Sequence, residues 1–213
     1  MSDGVPTADL FAGALAEIQS EDERGNLGNL IALHERPTRE VFEMAVTFTR
    51  DRDPVKRRLG VRVLRELGPG PSREDRPFRR QAIPRLVEML HGEDDLEVLG
   101  WVISALGYNG AYETLHDVLR FIDHPAAGIR FMVAATLPSL VDHNDVDPMA
   151  VRALETLSRD ADADIRYYAL HALVAENLDL APSAIDPALA AALLADPDEQ
   201  IRALAAEYLG PGR

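Results

Sequence analysis

The sequence predicts an all-α protein, a right-handed α-solenoid of about five to six stacked helix pairs. Apolar residues make up 46% of the 213 residues while aromatic residues make up only 6%, and alanine and leucine dominate the apolar set. Such side chains lose little rotamer freedom in a helix. One phrase also recurs along the chain, and its apolar residues are spaced four apart. Since one helix pair cannot bury its apolar face alone, repeated pairs are expected to stack.

The recurring phrase consists of an acidic turn, a β-branched residue, frequently a basic residue, and then an apolar helix. Its β-branched anchors are Val55, Val98, Ile129, Ile165 and Ile201, with spacings of 43, 31, 36 and 36 residues. The residues four and eight positions after each anchor are also apolar, so they share one helix face with it. Each phrase therefore predicts the second helix of a pair.

Amphipathic segments between the phrases predict the first helix of each pair. These segments are 39–50, 78–90, 111–122, 149–158 and 187–195. Two upstream segments, 7–19 and 24–36, predict a degenerate capping pair within residues 1–37. The expected organisation is one elongated domain, with a repeat array over 38–210 and a Gly/Pro-rich connection at 68–77. That connection is either a hinge or a simple insertion between repeats.

The stretch "DADADIRYYALHALV" shows how the acidic turns are interpreted. Asp160, Asp162 and Asp164 precede a second helix, where carboxylates cap free N–H groups and suit the helix dipole. A calcium loop also begins with alternating aspartates, but it needs Gly at its sixth position and Glu at its twelfth. Ile165 and His171 stand there. The stretch thus predicts a helix N-terminus, and the sequence predicts neither a metal site nor a cofactor.

The stretches "DADADIRYYALHALV" and "DPDEQIRALAAEYLG" resemble HEAT repeats, of the short bacterial type also seen in phycobilisome-lyase-like proteins. The resemblance covers about residues 38–210. It implies a structural ladder in which a turn aspartate and the basic residue after the anchor tie neighbouring repeats together. On this resemblance the ladder comprises Lys56, Arg130, Asp164, Arg166, Asp198 and Arg202, and Leu99 departs from it. The family's functions are diverse, so no activity follows from the fold.

Composition and charge exclude several classes of site. The chain has no cysteine, which excludes disulfides, thiolate metal sites and a cysteine nucleophile. It has no signal-peptide pattern and no apolar run of about 18 residues, so a soluble cytoplasmic protein is expected. The net charge of −14 argues against nucleic acid as a partner of the whole chain.

The charge is uneven, because residues 50–85 carry 12 basic and 5 acidic side chains. The candidate basic patch comprises Arg57, Arg58, Arg62, Arg65, Arg79 and Arg80. Spacing places Arg58, Arg62 and Arg65 on one helix face. Such a patch binds phosphate or an acidic partner, or forms a solvated face with local ion pairs. A third interpretation is association of copies through ends of opposite charge.

Large side chains occupy positions of the second helices that the core does not need. The candidate partner-binding groove, on the concave surface that the second helices line, comprises Phe131, Tyr167, His171, Trp101 and Tyr168. The first three share the inward-facing stripe, whereas Trp101 and Tyr168 face either the groove or the next repeat. Aromatic side chains dominate binding hot spots. The competing interpretation is packing between repeats.

No convergent catalytic set is present in the sequence, so we predict a non-enzymatic scaffold or adaptor. It binds a partner protein or peptide in the groove, and acidic flanks favour a basic partner. One alternative is an enzyme or enzyme accessory of HEAT type, resembling a tetrapyrrole lyase or a nucleic-acid repair protein. Another is an acidic inhibitor or immunity protein that binds a basic partner. No membrane association is expected.

Overall fold

The computed structural model describes residues 4–20, 27–68, 75–142, 145–175 and 184–210. These residues form twelve α-helices and two short 3₁₀ helices, and the β-structure within them is limited to an isolated bridge between Asp142 and Asp145. Most of the predicted 68–77 connection lies outside the described residues.

The helices alternate as first and second members of six consecutive pairs. They are α1 (Thr7–Gln19), α2 (Gly28–His34), α3 (Arg39–Phe48), α4 (Pro54–Glu66), α5 (Arg79–Gly92), α6 (Leu96–Tyr108), α7 (Leu115–Leu119), α8 (Ala127–Thr136), α9 (Pro148–Leu157), α10 (Ala163–Val174), α11 (Pro187–Leu194) and α12 (Glu199–Leu209). The 3₁₀ helices are Tyr112–Thr114, before α7, and Leu137–Leu140, after α8. The predicted helical character of the chain is confirmed.

The chain divides into two compact units, Met1–Gly110 and Ala111–Arg213. The first unit holds α1 to α6, and the second holds α7 to α12. The single elongated domain expected from the sequence stays a prediction.

In the first unit, α4 packs against α3 and α6, and α1 packs against α2 and α4. The backbones of α3 and α4 approach closely at Gly60, where an added Cβ would lie 2.6 Å from the carbonyl oxygen of Ala45. Leu59 and Val63 are fully buried. Val55, the expected anchor of this repeat, is only half-buried.

In the second unit, α10 packs against α8, α9 and α12, and α11 packs against α12. The predicted anchors Ile129, Ile165 and Ile201 are all buried, with at most 2% of each side chain exposed. The four-residue spacing in the sequence therefore identified the buried face of these second helices correctly.

Aspartate side chains cap six of the twelve described α-helices. The N-cap side chains that accept a backbone N–H are Asp53, Asp95, Asp147, Asp162, Asp186 and Asp198. Such caps satisfy N–H groups that have no partner inside the helix. The interpretation of the acidic turns as helix N-termini is confirmed. No helix within the described ranges has both the length and the apolar character needed to cross a bilayer.

Candidate functional site

Four turns between first and second helices share one hydrogen-bonded arrangement of two acidic residues. In the turn before α10, Asp160 accepts the N–H of Asp162 at 2.9 Å, and Asp162 in turn caps the helix. The same spacing recurs at Asp51/Asp53, Glu93/Asp95 and Asp196/Asp198. The first carboxylate of each turn keeps its remaining acceptor capacity for a side chain from elsewhere.

In three of these four turns, an arginine of the preceding second helix uses that capacity. Arg130 donates from Nε and Nη2 to the two carboxylate oxygens of Asp160, at 2.6 and 2.9 Å. Arg166 binds Asp196 in the same way, at 2.8 and 2.9 Å. In the first unit, Arg57 binds Glu93 at 2.8 and 2.7 Å. We refer to these three pairs as the ladder.

Each ladder arginine is also fixed to its own turn by its third nitrogen. Nη1 of Arg166 donates to the carbonyl oxygens of Asp160 and Ala161, both at 3.0 Å. Nη1 of Arg57 and Nη1 of Arg130 bind the carbonyls six and five residues earlier in the same manner. The guanidinium is thus held in position before it meets the next carboxylate, so each bidentate bond needs little further ordering.

The pKa values reflect the ladder. The hydrogen bond from Arg130 lowers the pKa of Asp160, and the hydrogen bond from Arg166 lowers the pKa of Asp196. The same carboxylates raise the pKa of the two arginines. Both ionised forms are therefore stabilised at neutral pH.

Three of the predicted ladder residues have other roles. Lys56 pairs with Asp51 of its own turn, with Nζ 3.1 Å from the carboxylate oxygen. Asp198 caps α12, and Asp164 lies in the first turn of α10, where its N–H donates to Asp162. The ladder carboxylates stand two residues before the N-cap rather than at it, because the N-cap carboxylate is already occupied by backbone N–H groups.

In the first unit the sequence analysis assigned the ladder position to Lys56, whereas the structure has Arg57 there. Every ladder arginine stands four residues after its N-cap, and Arg57 stands four residues after Asp53. Counting from the apolar residue Val55 selected Lys56 instead. For Arg57 and Arg166 the identifying signal is thus the distance from the capping aspartate, whereas the N-cap before Arg130 is Ala126.

The ladder motif changes in the middle of the chain. Leu99 occupies the arginine position of α6 and is buried. In the turn before α8, Nδ1 of His124 accepts the N–H of Ala126 at 3.1 Å, in the place of a carboxylate. The ladder bonds accordingly lie within each unit, one in the first and two in the second.

Aromatic side chains of α8 and α10 form a cluster on the second unit, which we call the ring face: Phe131, Tyr167, Tyr168 and His171. The rings of Phe131 and Tyr168 meet edge to face with centroids 4.9 Å apart. Tyr167 lies edge-on to Tyr168 at 5.9 Å and stacks with His171 at 6.0 Å. Tyr168 is 44% exposed, and the other three are half-buried.

Trp101, the fifth predicted groove residue, lies in the first unit. The guanidinium carbon of Arg62 lies over the ring, 4.5 Å from the ring centroid, and the guanidinium carbon of Arg65 lies 5.6 Å from the same centroid. It borders a small cavity of about 130 Å³ with Glu17 and Leu27. Trp101 therefore packs against arginines of α4, which agrees with the interpretation that this residue packs between repeats.

The predicted basic patch is used largely within the first unit. Arg58 pairs with Glu97 and donates to the carbonyl of Ile18 at 2.8 Å, which connects α4 to both α6 and α1. Arg79 donates to the carbonyl of Asn109 at 2.9 Å. Arg80 is exposed.

Arg65 is also largely enclosed, since only 17% of its side chain is exposed. Its guanidinium pairs with Glu66, donates to Ser104 at 3.0 Å and lies 3.3 Å from the ring centroid of Tyr108. Burial lowers the pKa of Arg65. Together with Arg57 in the ladder, these bonds make much of the patch a set of connections between helices.

A cavity of about 370 Å³ in the first unit borders the Arg57–Glu93 pair. Arg85, in its wall, donates to the hydroxyl and the carbonyl of Thr49 at 2.9 and 2.6 Å. The guanidiniums of Arg57 and Arg85 thus hold protein groups, and Arg50 also lines the cavity. In the described residues, no group of three or more His, Asp and Glu side chains is arranged to hold a metal ion. His143 of the "VDHNDVDP" segment lies outside them.

One protein-family model matches part of the chain. Residues 83–174 match the family model of HEAT repeats. No curated protein matches the sequence.

Several solved structures are similar over most of the chain. YibA from Escherichia coli has 14% identity, covers 95% of this chain and 74% of its own, and gives a TM-score of 0.66. An engineered protein has 18% identity, coverages of 98% and 92%, and a TM-score of 0.63. A designed armadillo repeat protein in complex with the peptide (KR)4 has 14% identity, coverages of 94% and 98%, and a TM-score of 0.60. At these identities the likeness shows the fold alone, and the predicted solenoid class is confirmed.

Proposed function

Residues 83–174 match the family model of HEAT repeats in a chain with a helical-repeat solenoid fold, and from this premise we propose that the protein is a non-enzymatic scaffold. It binds a basic peptide or a basic segment of a partner protein on the ring face of the second unit. The observation that carries the proposal is the set of four rings, exposed or half-exposed, on α8 and α10.

The ring face has the properties of a binding hot spot. Tyrosine and phenylalanine offer large contact areas at a low entropic cost, and hot spots are enriched in tyrosine. The edge-to-face contact of Phe131 with Tyr168 holds both rings in place before a ligand arrives. Tyr168 retains an exposed fraction of 44%, although its neighbours Ile165 and Ala169 are buried.

The charge around the ring face favours a cationic ligand. Residues 111–213 contain 17 acidic residues against 7 arginines and no lysine, a net charge of −10. Asp164 lies three and four residues before the two tyrosines, on the same side of α10, and is exposed. Aromatic faces attract guanidinium and ammonium groups, and a nearby carboxylate adds to this attraction.

One solved structure with a similar fold supports a basic ligand. The designed armadillo repeat protein is in complex with (KR)4, a peptide of alternating lysine and arginine. Its 14% identity conveys no residue-level correspondence, so the support is by analogy between helical-repeat surfaces.

The test is a titration of a fluorescently labelled peptide of four Lys-Arg pairs with the full chain, followed by anisotropy. Tyr168→Ala is expected to weaken binding at least about fivefold, since truncating a hot-spot residue costs more than about 1 kcal/mol. Tyr112, 40% exposed on a 3₁₀ helix of the same unit, provides the matched control. Tyr112→Ala is expected to leave the affinity unchanged.

Charge is tested separately by Asp164→Asn, which keeps the side-chain shape. This variant is expected to weaken binding and to reduce its dependence on salt concentration. Equal affinities of the wild type, Tyr168→Ala and Tyr112→Ala would refute the ring face as the binding site. Absence of any binding to the basic peptide would refute the basic partner.

A further inference from the structure

The ladder has an unfilled position at its C-terminal end. Arg202 of α12 stands four residues after its N-cap Asp198, as the other ladder arginines do. Its Nη1 donates to the carbonyl oxygens of Asp196 and Pro197, at 2.7 and 2.9 Å. Within the described residues, no carboxylate binds the Nε and Nη2 edge, which Arg57, Arg130 and Arg166 use for the next turn.

The backbone bonds orient this unused edge. In Arg166, the same two carbonyl bonds at 3.0 Å accompany a bidentate bond to the carboxylate 30 residues later. Arg202 makes the two carbonyl bonds of this arrangement, and its Nε and Nη2 are the donors that would make the bidentate bond. A carboxylate that arrives with the geometry of Asp196 therefore meets a guanidinium that is already positioned.

Two positions of the last pair carry exposed alanines where the preceding pair has buried residues. Alignment of the helix pairs by their N-caps matches Ala153 of α9 with Ala192 of α11, and Leu170 of α10 with Ala206 of α12. The first member of each match is at most 3% exposed, whereas the second is exposed. An outermost repeat normally carries polar residues at such positions.

Helix α11 strengthens this contrast, because its sequence PALAAALL contains no charged or polar side chain. Leu194 is 37% exposed on it. The equivalent residue of α9 is Glu155, which accepts the N–H of Asp186 from the following pair. The last pair thus combines exposed apolar residues, chiefly on α11, with one oriented cation, and the exposed polar residues of α12 are Glu199, Gln200 and Glu207.

We propose that the α11–α12 end is a docking surface for one further helix pair of the same type, whose acidic turn places a carboxylate on the free edge of Arg202. The carboxylate stands two residues before the N-cap of the docking pair, as Asp196 does. The apolar faces of α11 and α12 supply the contact area, and Arg202 sets the register. This inference is independent of the ring face.

The experiment extends the full chain by a second copy of residues 175–210, inserted after Gly210. Because the repeat spacing here is 36 residues, the copied Asp196 then follows Arg202 by 30 residues, the separation of Arg166 and Asp196. The extended protein is expected to gain helix content by circular dichroism and to unfold at a higher denaturant concentration.

Arg202→Gln separates docking from mere addition of helix. It is expected to change the unfolding constant of the natural chain less than about twofold and that of the extended chain about tenfold. Asp196→Asn in the added copy is expected to cause the same loss, and the two changes together no more than either alone. Arg166→Gln is the control, with equal effects in both proteins.

Two results would overturn the proposal. One is an added pair that stays unfolded, with no gain in helix content, since an accepted pair folds by stacking. The other is an Arg202→Gln effect of the same size in the natural and the extended chain. The side-chain Nε–H of Arg202 gives a direct readout by NMR, because its exchange with water is expected to slow only in the extended protein.

Discussion

Arg130 binds both carboxylate oxygens of Asp160, at 2.6 and 2.9 Å, while the two side chains are only 18% and 8% exposed. A third nitrogen of the same guanidinium holds the carbonyl oxygens of His124 and Pro125. One side chain thus connects its own turn to the turn of the next helix pair. Removing it takes both guanidinium donors from a largely buried carboxylate, which keeps only the N–H of Asp162, and the side-chain donor from two carbonyls.

We expect Arg130→Gln to lower the free energy of unfolding by about 2–3 kcal/mol, because it breaks a bidentate, largely buried ion pair. The pair Arg159–Asp186 provides the contrast, since its side chains are 45% and 42% exposed. Arg159→Gln is expected to cost less than about 1 kcal/mol. Urea titrations followed by circular dichroism measure both; similar costs for the two variants would contradict the role of the ladder.

His34 makes the stability depend on pH. Burial, followed by the charges of Arg62, Arg65 and Arg76, lowers the pKa of His34 to about 4, although Nε2 lies 3.0 Å from the carbonyl oxygen of Arg62. Between pH 6.5 and 4 the unfolded chain binds a proton that the folded chain does not. The free energy of unfolding is therefore expected to fall by about 2 kcal/mol from pH 7 to pH 5.

His34→Gln removes this proton linkage while keeping an N–H donor for the carbonyl of Arg62. We expect the stability of this variant to be nearly flat over the same pH interval. The exposed His91 serves as the control, and His91→Gln is expected to keep the slope of the wild type. A slope that persists in His34→Gln would assign the pH dependence to another group.

Two helical glycines are expected to respond to alanine with opposite signs. At Gly60 a Cβ would lie 2.6 Å from the carbonyl oxygen of Ala45 and 2.8 Å from the backbone nitrogen of Thr49. Gly60→Ala must therefore separate α3 from α4, at a cost of about 1–3 kcal/mol. At Gly128 a Cβ meets nothing within 4 Å, so Gly128→Ala is expected to stabilise by about 0.5–1 kcal/mol. Thermal unfolding of both variants measures these effects, and equal shifts of the midpoint temperature would contradict the close approach of α3 and α4 at Gly60.

Asn109 is a buried amide, 1% exposed, that donates to the carbonyl oxygens of Leu64 and Ala105 at 3.2 and 2.8 Å. We expect Asn109→Ala to destabilise the protein by about 1–3 kcal/mol, because Leu64 loses a donor in a site closed to water. Gln81 is the exposed comparison, as it accepts from Arg39 at 2.9 Å. Gln81→Ala is expected to change stability by less than about 0.5 kcal/mol in the same denaturation measurement.

The helices and their buried faces could be predicted because both follow from spacing along the chain. The register of the ladder could not be obtained from apolar spacing in the first unit, where Pro54 begins the helix and the capping Asp53 sets the position of Arg57. Counting from the capping residue, instead of from Val55, corrects this error. In α4 the register therefore follows the cap, whereas in α8 and α10 the β-branched anchors Ile129 and Ile165 also select the correct arginine.

The roles of the arginines in the basic segment could not be predicted, because their partners are distant in the sequence. Arg58 reaches the carbonyl of Ile18 and the carboxylate of Glu97, which lie 40 and 39 residues away in the sequence. No local pattern reveals such partners, because they depend on how successive pairs stack. The ring face was partly predictable, since helical spacing places Tyr167 and His171 on one side of α10, whereas the contact of Phe131 with Tyr168 required the packing of α8 on α10.

Trp101 is the one tryptophan of the chain, and it lies beneath the guanidinium of Arg62. Selective excitation of the indole therefore provides a natural optical probe, which needs no label, for the first unit alone. Its emission follows the junction of α4 and α6, while events on the ring face are spectroscopically silent at those wavelengths. Local opening near the N-terminal half can thus be timed separately from ligand capture by the other half.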